Sequence, residues 1–321
     1  MSILYSNAVI SVRSSRLLST DQMRRMIAAA TLIESTKVLF ECGYDENLLT
    51  YQPENTNAII EKEYTRTIGE FTELCLNPNL LQLVLCRFDY HNAILAYNAR
   101  ITDNTPSTTA FYPFGSIEIN TVTKSIQSKN YDDFTRHMKE ALEILDNLSP
   151  TPLDVEVELV RAMYFDMFRH LEKINNRYIT NYFRSEIDIQ NMRTLIKIGK
   201  NTLQSFNKLI IGGGHLDESH FNAIISKDYH DIKSSLVQYD EVINAIIKST
   251  EEKNPTIFEN VANRFLIAQA KQNSEDSFSL NMLFSWLIEK LEELRIVKVI
   301  LMGKKIGKSK EDLRNQLEGV L

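Results

Sequence analysis

Cysteine is nearly absent: Cys42, Cys75 and Cys86 are three in 321 residues. The odd number and the lack of a CxxC pair argue against a disulfide framework or a cysteine zinc site, so buried, reduced thiols are expected. Glycine (10) and proline (7) are scarce as well. Few breakers exclude a turn-rich β architecture and favour long helices. No apolar run reaches the roughly 18 uninterrupted residues of a membrane span. The nearest, Phe278 to Met302, is broken by Glu289, Lys290, Glu292, Glu293, Arg295 and Lys298. Residues Met1 to Arg13 lack the apolar core of a signal peptide, so an intracellular chain that spans no membrane is expected. A net charge of −6 without a basic stripe argues against phosphate-driven nucleic-acid binding and against a polybasic, lipid-binding face.

What is present is a globular balance, 43% hydrophobic and 24% charged. It is distributed as an internal repeat. Pro53, Pro152 and Pro255 each head a helical stretch, as expected for proline in a first turn. Acidic residues follow early (Glu54; Asp154 and Glu156; Glu259), where they suit the positive end of the helix dipole. A second, more apolar helix follows each one. Asn92, Asn191 and Arg295 stand 39, 39 and 40 residues beyond the three prolines. Asp89 and Asp188 precede their asparagines by three residues, on the same helical face, and Glu292 precedes Arg295 likewise.

The segments after these helices match too. FGSIEINTVTKSIQSKNYDDF parallels GGGHLDESHFNAIISKDYHDI, with Tyr131 and Tyr229 at similar distances from the aligned asparagines. The opening RSSRLLSTDQMRRM fits the same slot, and the tail GKKIGKSKEDLRNQLEGVL begins a further copy. Capping signals stand at Ser19–Asp21, Asp217–Glu218 and Ser309. The β-branched run from Arg295 to Met302 is assigned to helix by its repeat register. An all-α fold is expected. Its helical units span residues 1–105, 106–205 and 206–303, with a partial unit, 304–321, packing near the N-terminus. The first and last segments are complementary fragments of one unit, which favours a closed, funnel-like pseudo-threefold arrangement over an open solenoid.

Motifs with chemistry fall short. Gly303-Lys304-Lys305-Ile306-Gly307-Lys308-Ser309 has three residues between its glycines where a phosphate loop needs four, and reads instead as a basic helix end. Gly212–Gly214 has no GxSxG nucleophile elbow to serve and reads as an inter-unit loop, with Gly115 its counterpart. His215, Asp217, Glu218 and His220 match no metal-ligand spacing. No catalytic, cofactor-binding or metal-binding residue is assigned, and no cofactor or small-molecule substrate is expected. The Asp89/Asn92 and Asp188/Asn191 pairs recur, as packing devices would and a single catalytic site would not.

The residues that carry the repeat also carry a resemblance. SVRSSRLLST, ECGYDE, DYHNAILAYNAR, DIQNMRTLIKIGK and WLIEKLEELRIVKVILMGKKIG, in this order, resemble the C subunit of the bacterial and archaeal rotary V/A-type ATPases, which is the counterpart of the eukaryotic V-ATPase d subunit. The resemblance implies a helical funnel of three related domains. It implies a non-catalytic socket between the central stalk and the membrane proteolipid ring, peripheral on the cytoplasmic face. Contact with those partners is expected at the loops around Arg13, Arg16, Phe114, Gly115, Gly213, Gly214, Gly303 and Lys305. The alternatives are a free-standing helical-repeat scaffold for partner helices or peptides, and an enzyme with an unrecognised pocket.

Overall fold

The computed structural model describes residues 2–44, 56–107, 110–198, 209–226, 237–272 and 274–320. Among these the regular structure is wholly helical, with no strand. Pro53, Glu54 and Tyr229 lie outside the described residues. The chain forms two compact units, residues 75–180 and residues 1–74 with 181–321.

The unit of residues 75–180 is built on α5 (Pro78–Thr102), α6 (Ile119–Ser128), α7 (Arg136–Asp146) and α8 (Pro152–Ile174). Pro78 and Pro152 occupy the first turns of α5 and α8, where a missing N–H costs nothing. Asn77 caps α5 by accepting the Asn79 and Leu80 amides, and Thr151 with Asp154 forms a capping box on α8. α5 lies along α8, with α6 against α5 and α7 against α8. Tyr90, Ala93 and Tyr97 of α5 share a core with Val122, Ile126, Met138, Leu142, Leu145, Val155 and Leu159.

The other unit contains α1 (Ile3–Ser14), α2 (Thr20–Ala28), α3 (Leu32–Glu41), α4 (Thr56–Leu74), most of α9 (Arg177–Ile198), α10 (Glu218–Ser226), α11 (Asp240–Glu251), α12 (Pro255–Lys271), α13 (Asn281–Lys305) and α14 (Lys310–Gln316). Pro255 is again in a first turn, with Asn254 as the cap. α13 is its centre. Apolar residues surround the helix on all sides, and α1, α3, α4 and α12 pack around it. The β-branched stretch Arg295–Met302 is indeed helical, inside α13. One core joins Leu18, Met23, Met26, Ile27, Val38 and Leu39 to Leu294, Val297, Ile300 and Leu301, and also to Leu313 and Leu317. Each such side chain contributes about 1.5–3 kcal/mol when withdrawn from water. The capping boxes Ser19/Gln22 and Ser309/Asp312 start α2 and α14. Cys75 and Cys86 are buried, Cys42 is half-buried, and all three are free thiols.

Candidate functional site

The recurring acid and asparagine build a clasp that fastens a loop to the middle of a helix. Asp89 of α5 is buried and accepts the Ser116 amide at 3.1 Å, the Ser116 hydroxyl at 2.6 Å and the Ile117 amide at 3.0 Å. One turn on, Asn92 accepts the Tyr112 amide at 2.9 Å and donates to the Tyr112 carbonyl at 2.8 Å. The two side chains thus hold both ends of the loop 112–117 on one helical face. Gly115 lies between them. A Cβ placed there would overlap the Asp89 carboxylate oxygen and stand 3.1 Å from its carbon. Only a residue without a side chain lets the loop come this close.

The same construction appears on α9. Asp188 accepts the His215 amide at 3.0 Å and the Leu216 amide at 3.1 Å. Asn191 accepts the Ile211 amide and donates to its carbonyl, both at 2.8 Å. Gly214 stands where Gly115 does, and its added Cβ would overlap the Asp188 carboxylate oxygen. The Tyr239 hydroxyl completes this site by donating to Asp188 at 2.5 Å. Burial pushes the carboxyl groups of Asp89 and Asp188 up from the usual range, and their hydrogen bonds offset part of that rise. Burial likewise raises the Tyr239 hydroxyl.

A third clasp occupies α13, but Glu293 makes it. Its carboxylate accepts the Leu18 amide at 2.7 Å and the Tyr44 hydroxyl at 2.6 Å. Leu18 holds the place in its loop that Ile117 and Leu216 hold in theirs. Glu292 instead forms a half-buried ion pair with Arg295 one turn away, at 2.7 Å. The third clasp is charged where the other two use neutral donors. Lys290 lies between Glu293 at 2.5 Å and Glu63 of α4 at 2.9 Å, and all three are buried. Its ammonium also sits over the Tyr44 ring at 4.4 Å. Arg66 closes the network on Glu63. Burial drives the Tyr44 hydroxyl well above its ordinary range, with Glu293 and Glu63 adding to the rise.

The expected contact loops are placed individually. Arg13 pairs with Glu70 at 3.3 Å, and Arg16 is exposed. Phe114 lies edge-on to Phe88 at 5.5 Å. Gly213 adopts a left-handed φ of +97°, which favours glycine. Gly303 is not in a loop: it lies in the last turns of α13, buried against Leu313. Lys305 ends that helix, and Lys304 donates to the Ile27 and Ala29 carbonyls.

Sequence reasoning did not anticipate the Glu63–Lys290–Glu293 network, although a lysine three residues before a glutamate in an apolar helix was its visible trace. It also passed over Asp146, which gathers Arg100, Tyr131 and Tyr97, and Asp166, which gathers Tyr90, Thr135 and His137. Among the described residues no cluster of three or more His, Cys, Asp or Glu side chains is arranged to hold a metal ion. Asp217 accepts the Ser219 hydroxyl and amide and the His220 amide, its carboxylate lies 2.7 Å from the His220 ring nitrogen Nδ1, and these contacts lower its carboxyl. None of the described helices is long and apolar enough to cross a membrane. These arrangements bind the chain to itself; what they offer chemically is rigidity of the loops they hold.

Comparison with known proteins agrees with the sequence. The family model described as ATP synthase (C/AC39) subunit matches residues 6–316. Among curated proteins, the C subunit of an A-type ATP synthase from Methanococcoides burtonii is 26% identical over 173 residues, an alignment covering 51% of this chain and 48% of that relative. The match therefore spans about half the length of that relative.

Proposed function

The chain belongs to the ATP synthase (C/AC39) subunit family, and from that premise we propose that it is a non-catalytic rotor subunit of a V/A-type ATPase or ATP synthase. It acts as a socket that couples the central stalk of the soluble sector to the membrane proteolipid ring. It sits peripherally on the cytoplasmic face of the membrane and has no active site of its own. The family match along nearly the whole chain carries this reading.

The physics of the clasps supports it. A part that passes torque needs loops that hold their place under load, because a loop that slips or unfolds locally dissipates work. Asp89 with Asn92, and Asp188 with Asn191, are buried side chains that fasten such loops with hydrogen bonds of recurring spacing. Recurrence also supports three units, 1–105, 106–205 and 206–303, with 304–321 completing the first, arranged as a funnel around a pseudo-threefold axis. The end of α1 at Arg13 with Arg16, the loops around Phe114, Gly115, Gly213 and Gly214, and the end of α13 at Gly303 and Lys305 meet the stalk and the ring in this reading. Many modest contacts over a collar carry the load and still permit reversible assembly.

Affinity purification of the native chain from solubilised membranes tests the proposal. Stalk subunits and proteolipid are expected in the eluate. Recovery only as a free monomer in the soluble fraction refutes it.

A further inference from the structure

Helix α1 carries a face that nothing among the described residues of its own unit covers. Leu4, Tyr5 and Val12 are 51%, 58% and 56% exposed, and Ala8 between them is exposed too. At 100° per residue, these positions with Ser11 and Ser15 form one stripe about 120° wide. No charged residue falls on it, since Arg13, the one charge in Ile3–Ser14, turns away to Glu70. An ordinary solvent-facing helix surface is charged, and a contiguous apolar one marks a contact.

A second element borders the stripe. Asn7, on the Leu4 and Ser11 side of the helix, donates to the carbonyls of Ser277 and Ser279 at 2.7 and 2.9 Å. Both carbonyls flanking Phe278 are thus fixed on α1, while Phe278 itself is 77% exposed. A ring anchored by its neighbours and left in water raises one wall beside the stripe.

The charges at the two ends specify an occupant. α1 runs parallel to α13, because Asn7 meets the segment just before Asn281 and Leu18 meets Glu293. The exposed acids Glu275 and Asp276 therefore stand near the start of the stripe, and the exposed Arg16 stands beyond its end. Among the described residues no carboxylate pairs with Arg16. A helix laid antiparallel to α1 brings its N-terminus to Arg16 and its C-terminus to Glu275 and Asp276. Acids in the first turn and bases in the last are what a helix dipole favours, so such a helix meets complementary charge at both ends. Ala8, with serines at 11 and 15, lets its axis approach closely.

We infer that the exposed face of α1, walled by Phe278, docks one antiparallel amphipathic helix of a neighbouring subunit, acidic in its first turn and basic in its last. The inference rests on the reading of the chain as part of a rotary complex and names the chemistry of one contact in it.

The test places a photo-crosslinking phenylalanine analogue at position 5, 12 or 278 in the complete complex purified from membranes. Positions 12 and 5 are expected to label the N-terminal and C-terminal halves, respectively, of one helix in another subunit, with position 278 labelling its C-terminal half. A Val12→Asp variant should fold as the wild type by circular dichroism, because residue 12 is exposed, yet co-purify with the complex at least tenfold less. Label on lipid, on a second copy of this chain, in the same order along a parallel helix, or nowhere overturns the inference. So does undiminished assembly of the variant. If the wild type itself does not co-purify, the rotary reading falls and takes this inference with it; if it does and the labels go elsewhere, the inference falls alone.

Discussion

Replacing Gly115 with alanine tests the clasp at its tightest point. Gly115 does not use a left-handed φ, so the backbone itself would accept alanine without strain. On that ground alone the change stabilises by about 0.4–1 kcal/mol, through a less flexible unfolded chain. The clash decides the sign. The new Cβ overlaps the Asp89 carboxylate, which can move only by giving up bonds from Ser116 and Ile117. A hydrogen bond to a charged group contributes about 1.5–3 kcal/mol, so losing one or two costs roughly 2–5 kcal/mol. The net expectation is destabilisation by about 2–4 kcal/mol. Urea unfolding gives the total, and hydrogen exchange at the Ser116 and Ile117 amides reports the clasp directly. Gly69 is the control: it lies inside α4 with nothing within 4 Å of an added Cβ, so alanine there should stabilise by about 0.5–1 kcal/mol. A neutral or stabilising Gly115→Ala, with unchanged exchange at Ser116 and Ile117, refutes the reasoning.

Lys290→Met leaves Glu63 and Glu293 buried together without their shared cation, and is expected to cost about 3–5 kcal/mol in urea unfolding, against little for the half-buried Arg295→Met. Asp188 has a folded-state carboxyl raised above its unfolded value, so the stability it contributes is fully present below the ordinary aspartate range and is lost as pH rises through the raised value. Relative to Asp188→Asn, the wild type should therefore lose stability as pH is raised from about 4, measured by denaturant midpoints across pH. Leu313→Ala empties a site in the core shared by α2, α13 and α14 and should cost about 2–5 kcal/mol, read from thermal or urea unfolding.

The apolar helices, their proline-led starts at Pro152 and Pro255 and their serine caps at Ser19 and Ser309 were legible in the sequence. Each depends on neighbours within one turn, and local spacing records such neighbours. The Asp/Asn pairs at 89/92 and 188/191 were legible for the same reason: three residues separate two groups on one face. Their partners, 20 to 28 residues away, were not, because a loop's approach leaves no mark beyond its glycine.

The third clasp marks the boundary most sharply. Glu292 and Glu293 are the same residue type side by side, and the repeat spacing tolerates either. Adjacent positions on a helix point about 100° apart, so one of them faces the core and the other does not. That choice belongs to the packing around α13, which turns Glu293 to Leu18, Tyr44 and Lys290 and leaves Glu292 to Arg295. Periodicity along the chain determined that this protein is helical and repeated. Which carboxylate was buried, and what neutralised it, depended on contacts between residues more than 200 positions apart, and only the folded chain brings those together.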